Sequence, residues 1–346
     1  MNSVSRADVE HLLARFSALH IGVIGDFALD CYWQLDTAAE LPSVETGKPT
    51  RPVSTQHYAA GAAGNVVADL AALGCGKISA FGVVGPDPWG NELRRWLDAH
   101  TVDTAGLLVQ PQDWDTVAYV KPHIQGVEQN RFDFGDFNQL HADTTNRLID
   151  SLSQTLPRLD ALVINAQARA GLHHAHLRPR LAALIQSQPD RLFTIDTRDR
   201  LAMYSGGILK INDIEASRMC DLPTKPGIPH AQACAAAARL FAERRHPVFV
   251  TCGPDGMVVC DAHGLSEIEG IRLQGPIDTT GAGDAAMAGI TAALASRATP
   301  HQAAFIGNLA AAVCAGKLHQ TGTASPSEIL ALLTKPAPSE PCQSDQ

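Results

Sequence analysis

The chain is short of several things. Aromatic residues supply only 5% of its 346 positions. No apolar run approaches the ~18 residues of a membrane-spanning helix. None of the eight cysteines (31, 75, 220, 234, 252, 260, 314 and 342) belongs to a C-x-x-C pair, and no His/Cys ligand spacing accompanies them. They read as buried thiols of a reduced, cytoplasmic protein. No G-x-x-x-x-G-K-[ST] occurs, which excludes a P-loop NTPase. "GVIGD" (22–26) lacks the full G-x-G-x-x-G of a dinucleotide-binding dehydrogenase, so that rival class is weak. Basic residues are outnumbered, 27 Lys+Arg against 36 Asp+Glu for a net charge of -9, which argues against nucleic acid or an anionic membrane as main partner. The start, "MNSVSRADVEHLLARF", is amphipathic and carries acids, unlike a signal or transit peptide.

What is there is apolar and alternating. Hydrophobic residues make up 45%, enough for a sizeable core. Runs at 20–26, 77–85, 161–166, 191–196, 207–212 and 247–253 read as buried strands; helical patterns lie at 63–74, 89–100, 143–156 and 231–244. This predicts an α/β fold with a mostly parallel sheet covered on both faces, ligands lying beyond the strands' carboxyl ends. Residues 31–58 and 115–134 break the alternation and are expected to form a small accessory sheet. We expect one domain over 1–334, with 335–346 a disordered Pro/Ser-rich tail. "HHAH" (173–176) reads as a polar helix face rather than a metal site, since no carboxylate or cysteine accompanies it.

"DTTGAGDAAMAGI" (278–290) carries the chemistry. Glycines 281 and 283 let backbone N–H groups converge on an anion, and the helix starting there adds partial positive charge. Asp284 in its first turn is then either a helix cap or a base that takes a proton from an attacking hydroxyl.

The segment resembles the C-terminal signature of the ribokinase-type (PfkB) family of sugar and nucleoside kinases, and the likeness spans nearly all of 20–330. "GDFALD" (25–30) matches the first strand, and "AAGAAGNVVADLAALG" (59–74) the Gly-Gly-x-x-x-Asn segment. "INDIE" (211–215) matches Asn-x-x-Glu, and "VTCGPDG" (250–256) the nucleotide loop. The resemblance implies a ribokinase-like fold with a β-sheet lid, ATP and Mg²⁺ as cofactors, and transfer of the γ-phosphate to a sugar hydroxyl. Asp284 would be the base and Gly281, Ala282 and Gly283 the anion hole. Asp30, Gly61 and Asn65 would contact the sugar. Asn212 and Glu215 would organise phosphates and hydrated Mg²⁺; Thr251, Gly253, Gly256 and Asn308 would hold the nucleotide. Asp278 and Thr280, with backbone after Ala315, lie where many relatives bind K⁺. Lid sheets in this family often pair, which implies a homodimer.

Finer detail resembles the bacterial heptose 7-phosphate kinase branch: "GDFALDCYW", "RFDF" (131–134) and "NLAAAVCAGKLHQTGTASPSEI" (308–329). A phosphorylated acceptor would want cations, and Lys121, Arg131, Arg169 and Arg198 are the candidates. Departures fall on the acceptor side. "NAQARA" (165–170) replaces Ser-Asp-Tyr followed by Lys-Gly, Ala62 replaces the second glycine, "SVETGKPTRPV" (43–53) replaces a lid segment, and "HQT" interrupts Lys-Leu-Gly-Thr. Another sugar, a keto-deoxy sugar acid or a nucleoside therefore stays open as acceptor, as does an idle sugar-sensing protein on the same fold. No His-x-Gly-His segment occurs, so a fused nucleotidyltransferase activity is expected to be absent.

Overall fold

The computed structural model describes residues 4–174, 176–197, 204–224, 227–318 and 322–334. Nine strands form the large sheet: β1 His20–Gly25, β4 Lys77–Val84, β5 Asp103–Val109, β9 Ala161–Ala166, β10 Phe193–Thr197, β11 Ile208–Asn212, β12 Val248–Thr251, β13 Met257–Asp261 and β14 Gly264–Ile268. Five more form a small sheet: β2 Phe27–Leu35, β3 Val53–Ala62, β6 Val117–Ile124, β7 Val127–Glu128 and β8 Phe132–Phe134. The helices are α1 Arg6–Arg15, α2 Ala63–Ala72, α3 Pro88–Ala99, α4 Ala142–Thr155, α5 Leu177–Gln186, α6 Asp213–Met219, α7 His230–Arg244, α8 Ala282–Ala295, α9 Pro300–Ala315 and α10 Pro326–Leu332.

The large sheet runs β14-β13-β12-β11-β10-β9-β1-β4-β5. It is parallel from β5 to β12, and the β13–β14 hairpin adds an antiparallel edge. The predominantly apolar runs follow from burial on both faces. In β9, Ala161 and Val163 join one core while Leu162 and Ile164 join the other; β12 and β13 divide in the same way. The first core is closed by α1–α3 and α8–α10, the second by α4–α7. Strand order reverses at β1, which lies between β4 and β9, so the crevice at its carboxyl end is the place for a ligand.

The accessory sheet is as expected, though larger. β2 leaves β1 across the single residue Asp26, and β3 enters α2 with no intervening loop. The β3–α2 joint is Ala62, whose φ of 52° and ψ of -122° suit glycine and strain a residue with a Cβ. Asp26 anchors the segment after β9. Its carboxylate accepts the N–H groups of Gln167 (2.9 Å), Ala168 (2.8 Å) and Leu172. A Cβ on Gly171 would stand 2.2 Å from Asp26 Oδ1, so only glycine fits there.

One expectation is overturned. "HHAH" is not a helix face, because α5 starts only at Leu177. His173 is buried, bonded to the Tyr204 hydroxyl (2.6 Å) and to the Asn165 carbonyl (3.1 Å), and so pins this loop to β9. The reason is that apolar Leu172 and Leu177 anchor the stretch at both ends, both fully buried. The expected tail, 335–346, lies outside the described residues. No described cysteine is paired.

Candidate active site

α8 opens on Gly281, whose left-handed φ of 80° no L side chain adopts cheaply. Asp284 follows in the first turn and is buried beneath the β1–β9 crevice. Asn65 Nδ2 donates to one of its oxygens (3.1 Å) and Gln167 Nε2 to the other (2.8 Å). Burial pushes its carboxyl up to about 6 and the Asp196 carboxylate adds to this, against Lys210 and the two amide donors. Such a group is ionised at neutral pH yet basic enough to take a hydroxyl proton. The Ala282 N–H is committed to the Thr279 carbonyl (3.1 Å), so that amide serves the loop.

Asp284 lies in a cavity of about 420 Å³. Asp30, Asn65, Lys121, Arg131, Asn212, Glu215, Thr280, Gly281 and Gly283, all expected from the sequence, line it with Asp284. Gly61 stands directly behind Asp30, where a Cβ would lie 3.1 Å from Asp30 Oδ2. Buried Asp30 on β2 and half-buried Lys121 on β6 form an ion pair (2.8 Å). Burial by itself would lower the Lys121 ammonium, but Asp30 outweighs it and holds the pKa above its ordinary value. Arg131 forks onto Asp133 (2.6 and 2.7 Å) with its guanidinium 4.7 Å from the Tyr119 ring centre.

Asn212 caps α6 reciprocally with Glu215: Asn212 Oδ1 accepts the Glu215 N–H (2.8 Å), and Glu215 Oε2 accepts the Asn212 N–H (3.0 Å). The Asn-x-x-Glu pattern is therefore a capping box whose side chains also face the cavity. Asp278 and Thr280 meet the end of α9. The Asp278 N–H donates to the Ala315 carbonyl (2.9 Å), the Thr280 N–H to Asp278 Oδ1 (3.0 Å), and the Cys314 thiol to the Thr280 carbonyl (3.5 Å).

The remaining candidates lie apart. Thr251 pairs with Asn212 across β11–β12, and Gly253 and Gly256 shape the β12–β13 turn. Asn308 Nδ2 holds the Glu269 carbonyl (2.9 Å), beside a second hollow of about 470 Å³ under Pro254, Asp255 and Gly270. Arg169 does not line the main cavity. Arg198 lies outside the described residues.

Sequence reasoning missed Gln167, Tyr119 and the Asp196–Lys210 pair, all on the cavity wall. Lys210 Nζ meets Asp196 at 2.7 Å, and both are buried. Burial would lower this ammonium too, but Asp196 keeps it raised and charged. A Cβ on Gly283 would lie 3.2 Å from Lys210 Nζ, so the ammonium stands over the α8 N-terminus. A charge inside an apolar strand run, as in "ILKIN" and "FTIDT", was the available signal. Asp69 on α2 is also buried. Neither of its oxygens has a partner among the described residues, and burial and Asp284 raise its pKa well above normal.

A buried, basic carboxylate and a lysine converge on one helix N-terminus, opposite a pocket of polar side chains. This arrangement can deprotonate a hydroxyl and stabilise charge on a transferring group. The pfkB family carbohydrate kinase model matches residues 23–328. The chain belongs to that family. It is a carbohydrate kinase, a phosphotransferase with an alcohol acceptor. A bifunctional protein HldE of Citrifermentans bemidjiense is 29% identical over 336 residues, covering 95% of this pfkB chain, which spans 66% of that relative's length. One from Geobacter sulfurreducens is 27% identical over 334 residues, with the same coverages. Among solved structures, Escherichia coli phosphofructokinase-2 in complex with potassium superposes with a TM-score of 0.72 at 18% identity, over 92% of this chain and 100% of that one. Arabidopsis thaliana ribokinase complexed with ribose and ATP gives 0.67 at 18%, over 92% and 99%. At that identity these two speak for the ribokinase-like fold.

Proposed function

We propose that this pfkB kinase transfers the γ-phosphate of ATP to a hydroxyl of a sugar phosphate, with heptose 7-phosphate as the first acceptor to test. The observation that carries it is the pairing of Asp284 with Lys121 and Arg131 in one cavity. Lys121 on β6 and Arg131 just before β8 suit the acceptor's own phosphate. Arg131 now rests on Asp133, a partly exposed pair whose exchange for phosphate costs little. The similarity to HldE proteins supports the same acceptor class.

In this reading Asp30 and Asn65 orient the sugar and Asp284 accepts the attacking hydroxyl's proton. Lys210 and the amides of Gly281 and Gly283 stabilise the transferring phosphoryl. The adenosine lies towards the 253–256 turn, with Thr251 and Asn308 supporting its walls. Asn212 and Glu215 offer the oxygen donors that Mg²⁺ takes, so they fit its hydration shell. Bound there, the ion would neutralise charge across the β- and γ-phosphates. Asp278, Thr280 and the Ala315 carbonyl suit K⁺. The small sheet acts as a lid against water. Its exposed Phe132, Phe134 and Val127 fit a homodimer formed through the lids, which sedimentation would reveal.

A coupled ADP-release screen over free sugars, sugar phosphates, keto-deoxy acids and nucleosides tests the reading. Turnover on heptose 7-phosphate is expected. Turnover confined to an unphosphorylated hexose or a nucleoside would reject it. Binding of a sugar without turnover of any acceptor would instead favour a sugar-sensing role.

A further inference from the structure

A second cluster lies at the antiparallel edge of the large sheet. α7 begins with His230, and Cys234 follows one turn later on the same side of the helix. β14 brings Glu267 against both. An imidazole nitrogen, the thiol sulfur and a carboxylate oxygen all fall within 4.8 Å of one another. His230 Nε2 and Glu267 Oε2 are 2.7 Å apart, while His230 Nδ1 is buried without a partner among the described residues. This His-x-x-x-Cys corrects the expectation that the chain has no His/Cys ligand spacing. The third group comes from a different element, so no local pattern reveals it.

We propose that His230, Cys234 and Glu267 bind a zinc ion. An N, S, O donor set suits a borderline-soft divalent metal, whereas Mg²⁺ and Ca²⁺ prefer all-oxygen sets. Tetrahedral zinc, with bonds of about 2.0–2.3 Å, holds its ligand atoms roughly 3.3–3.6 Å apart. The triangle therefore needs to close by about 1 Å and the His230–Glu267 contact to open by about half that. Three protein ligands leave a fourth position, and His230 and Glu267 both line the hollow under Pro254 and Asp255. Water or a donor atom of whatever enters the hollow completes the shell. The site is independent of Asp284 and of acceptor identity.

The test uses the full chain, stripped with chelator and titrated with Co²⁺ as a spectroscopic stand-in. One equivalent should give intense tetrahedral d–d bands and a thiolate-to-cobalt charge-transfer band, both removed by Zn²⁺. Cys234→Ser should abolish the charge-transfer band. Glu267→Gln should weaken Co²⁺ binding by at least ~10-fold, since even an outer-shell partner is worth that much. Circular dichroism checks the fold of each variant. Should Cys234→Ser fail to fold, Glu267→Gln decides alone, because its side chain is exposed. Absence of a charge-transfer band in the unmodified chain, its survival in Cys234→Ser, or unchanged Co²⁺ affinity in Glu267→Gln each overturns the proposal.

Discussion

If Asp284 is the base, the enzyme must lose activity on the acid side at an unusually high pH for an aspartate. Its carboxyl is raised from 3.8 to about 6, chiefly by burial and then by Asp196. Only the ionised form accepts a proton, so kcat/KM should fall tenfold per pH unit below a midpoint near 6. Lys210 opposes the rise, so Lys210→Met should move that midpoint upward as well as lower the rate. The same numbers bear on stability. Holding Asp284 charged in the folded state at neutral pH costs about 3 kcal/mol, from 1.36 kcal/mol per pH unit. Because the folded-state pKa is the higher one, Asp284 contributes stability below its unfolded pKa, near 4, and loses it as pH rises through about 6. Asp284→Asn should therefore melt above the parent at pH ~8 and lose that advantage by pH ~4. The gain will fall short of 3 kcal/mol, since an Asn amide cannot accept from both Asn65 and Gln167. Phosphotransfer should drop by ~10²–10⁴-fold in the same variant. The assay is ADP release across pH, paired with thermal melts. An acid limb centred near pH 4, or turnover surviving Asp284→Asn, would refute the reasoning.

Three further outcomes follow from the geometry. Ala62→Gly relieves a backbone conformation that costs ~1–3 kcal/mol for a residue with a Cβ, less up to ~1 kcal/mol of added chain entropy, so thermal melts should rise slightly. Lys121→Met leaves Asp30 buried and unpaired, a loss of about 3–5 kcal/mol; denaturant melts should show that Asp30→Asn added to it recovers part of the stability. Asp69→Asn removes a buried acid whose folded-state pKa is raised, so its melting advantage over the parent should grow as pH rises from acid to neutral.

The parts of the fold that were legible in sequence were those set by local rules. β1, β4, β9, β10, β11 and β12 are predominantly apolar runs because parallel strands are covered twice. The α8 end of the cavity was legible too, because glycine and a first-turn carboxylate at Gly281–Asp284 are constraints of a single turn. Gln167 was not. The Asp26 carboxylate, distant in sequence, holds the backbone of Gln167 and so aims its side chain at Asp284. Asp196 and Lys210 lie on neighbouring strands, one step past the Ile195↔Leu209 register pair, so neither run alone suggests a partner. The β13–β14 hairpin, its short strands hidden behind the 253–256 turn, escaped notice, and with it Glu267.

The small sheet is tied to the rest of the fold at two joints. One is Asp26, whose carboxylate clasps the loop bearing Gln167; the other is Ala62, three residues before Asn65. Gln167 and Asn65 are the two amide donors that grip Asp284. In the proposed reading, a tilt of the sheet over the acceptor would pull at the roots of both tethers on Asp284. Covering the substrate and tuning the proton acceptor would then be one lever stroke, and stiffening either joint should alter the two together.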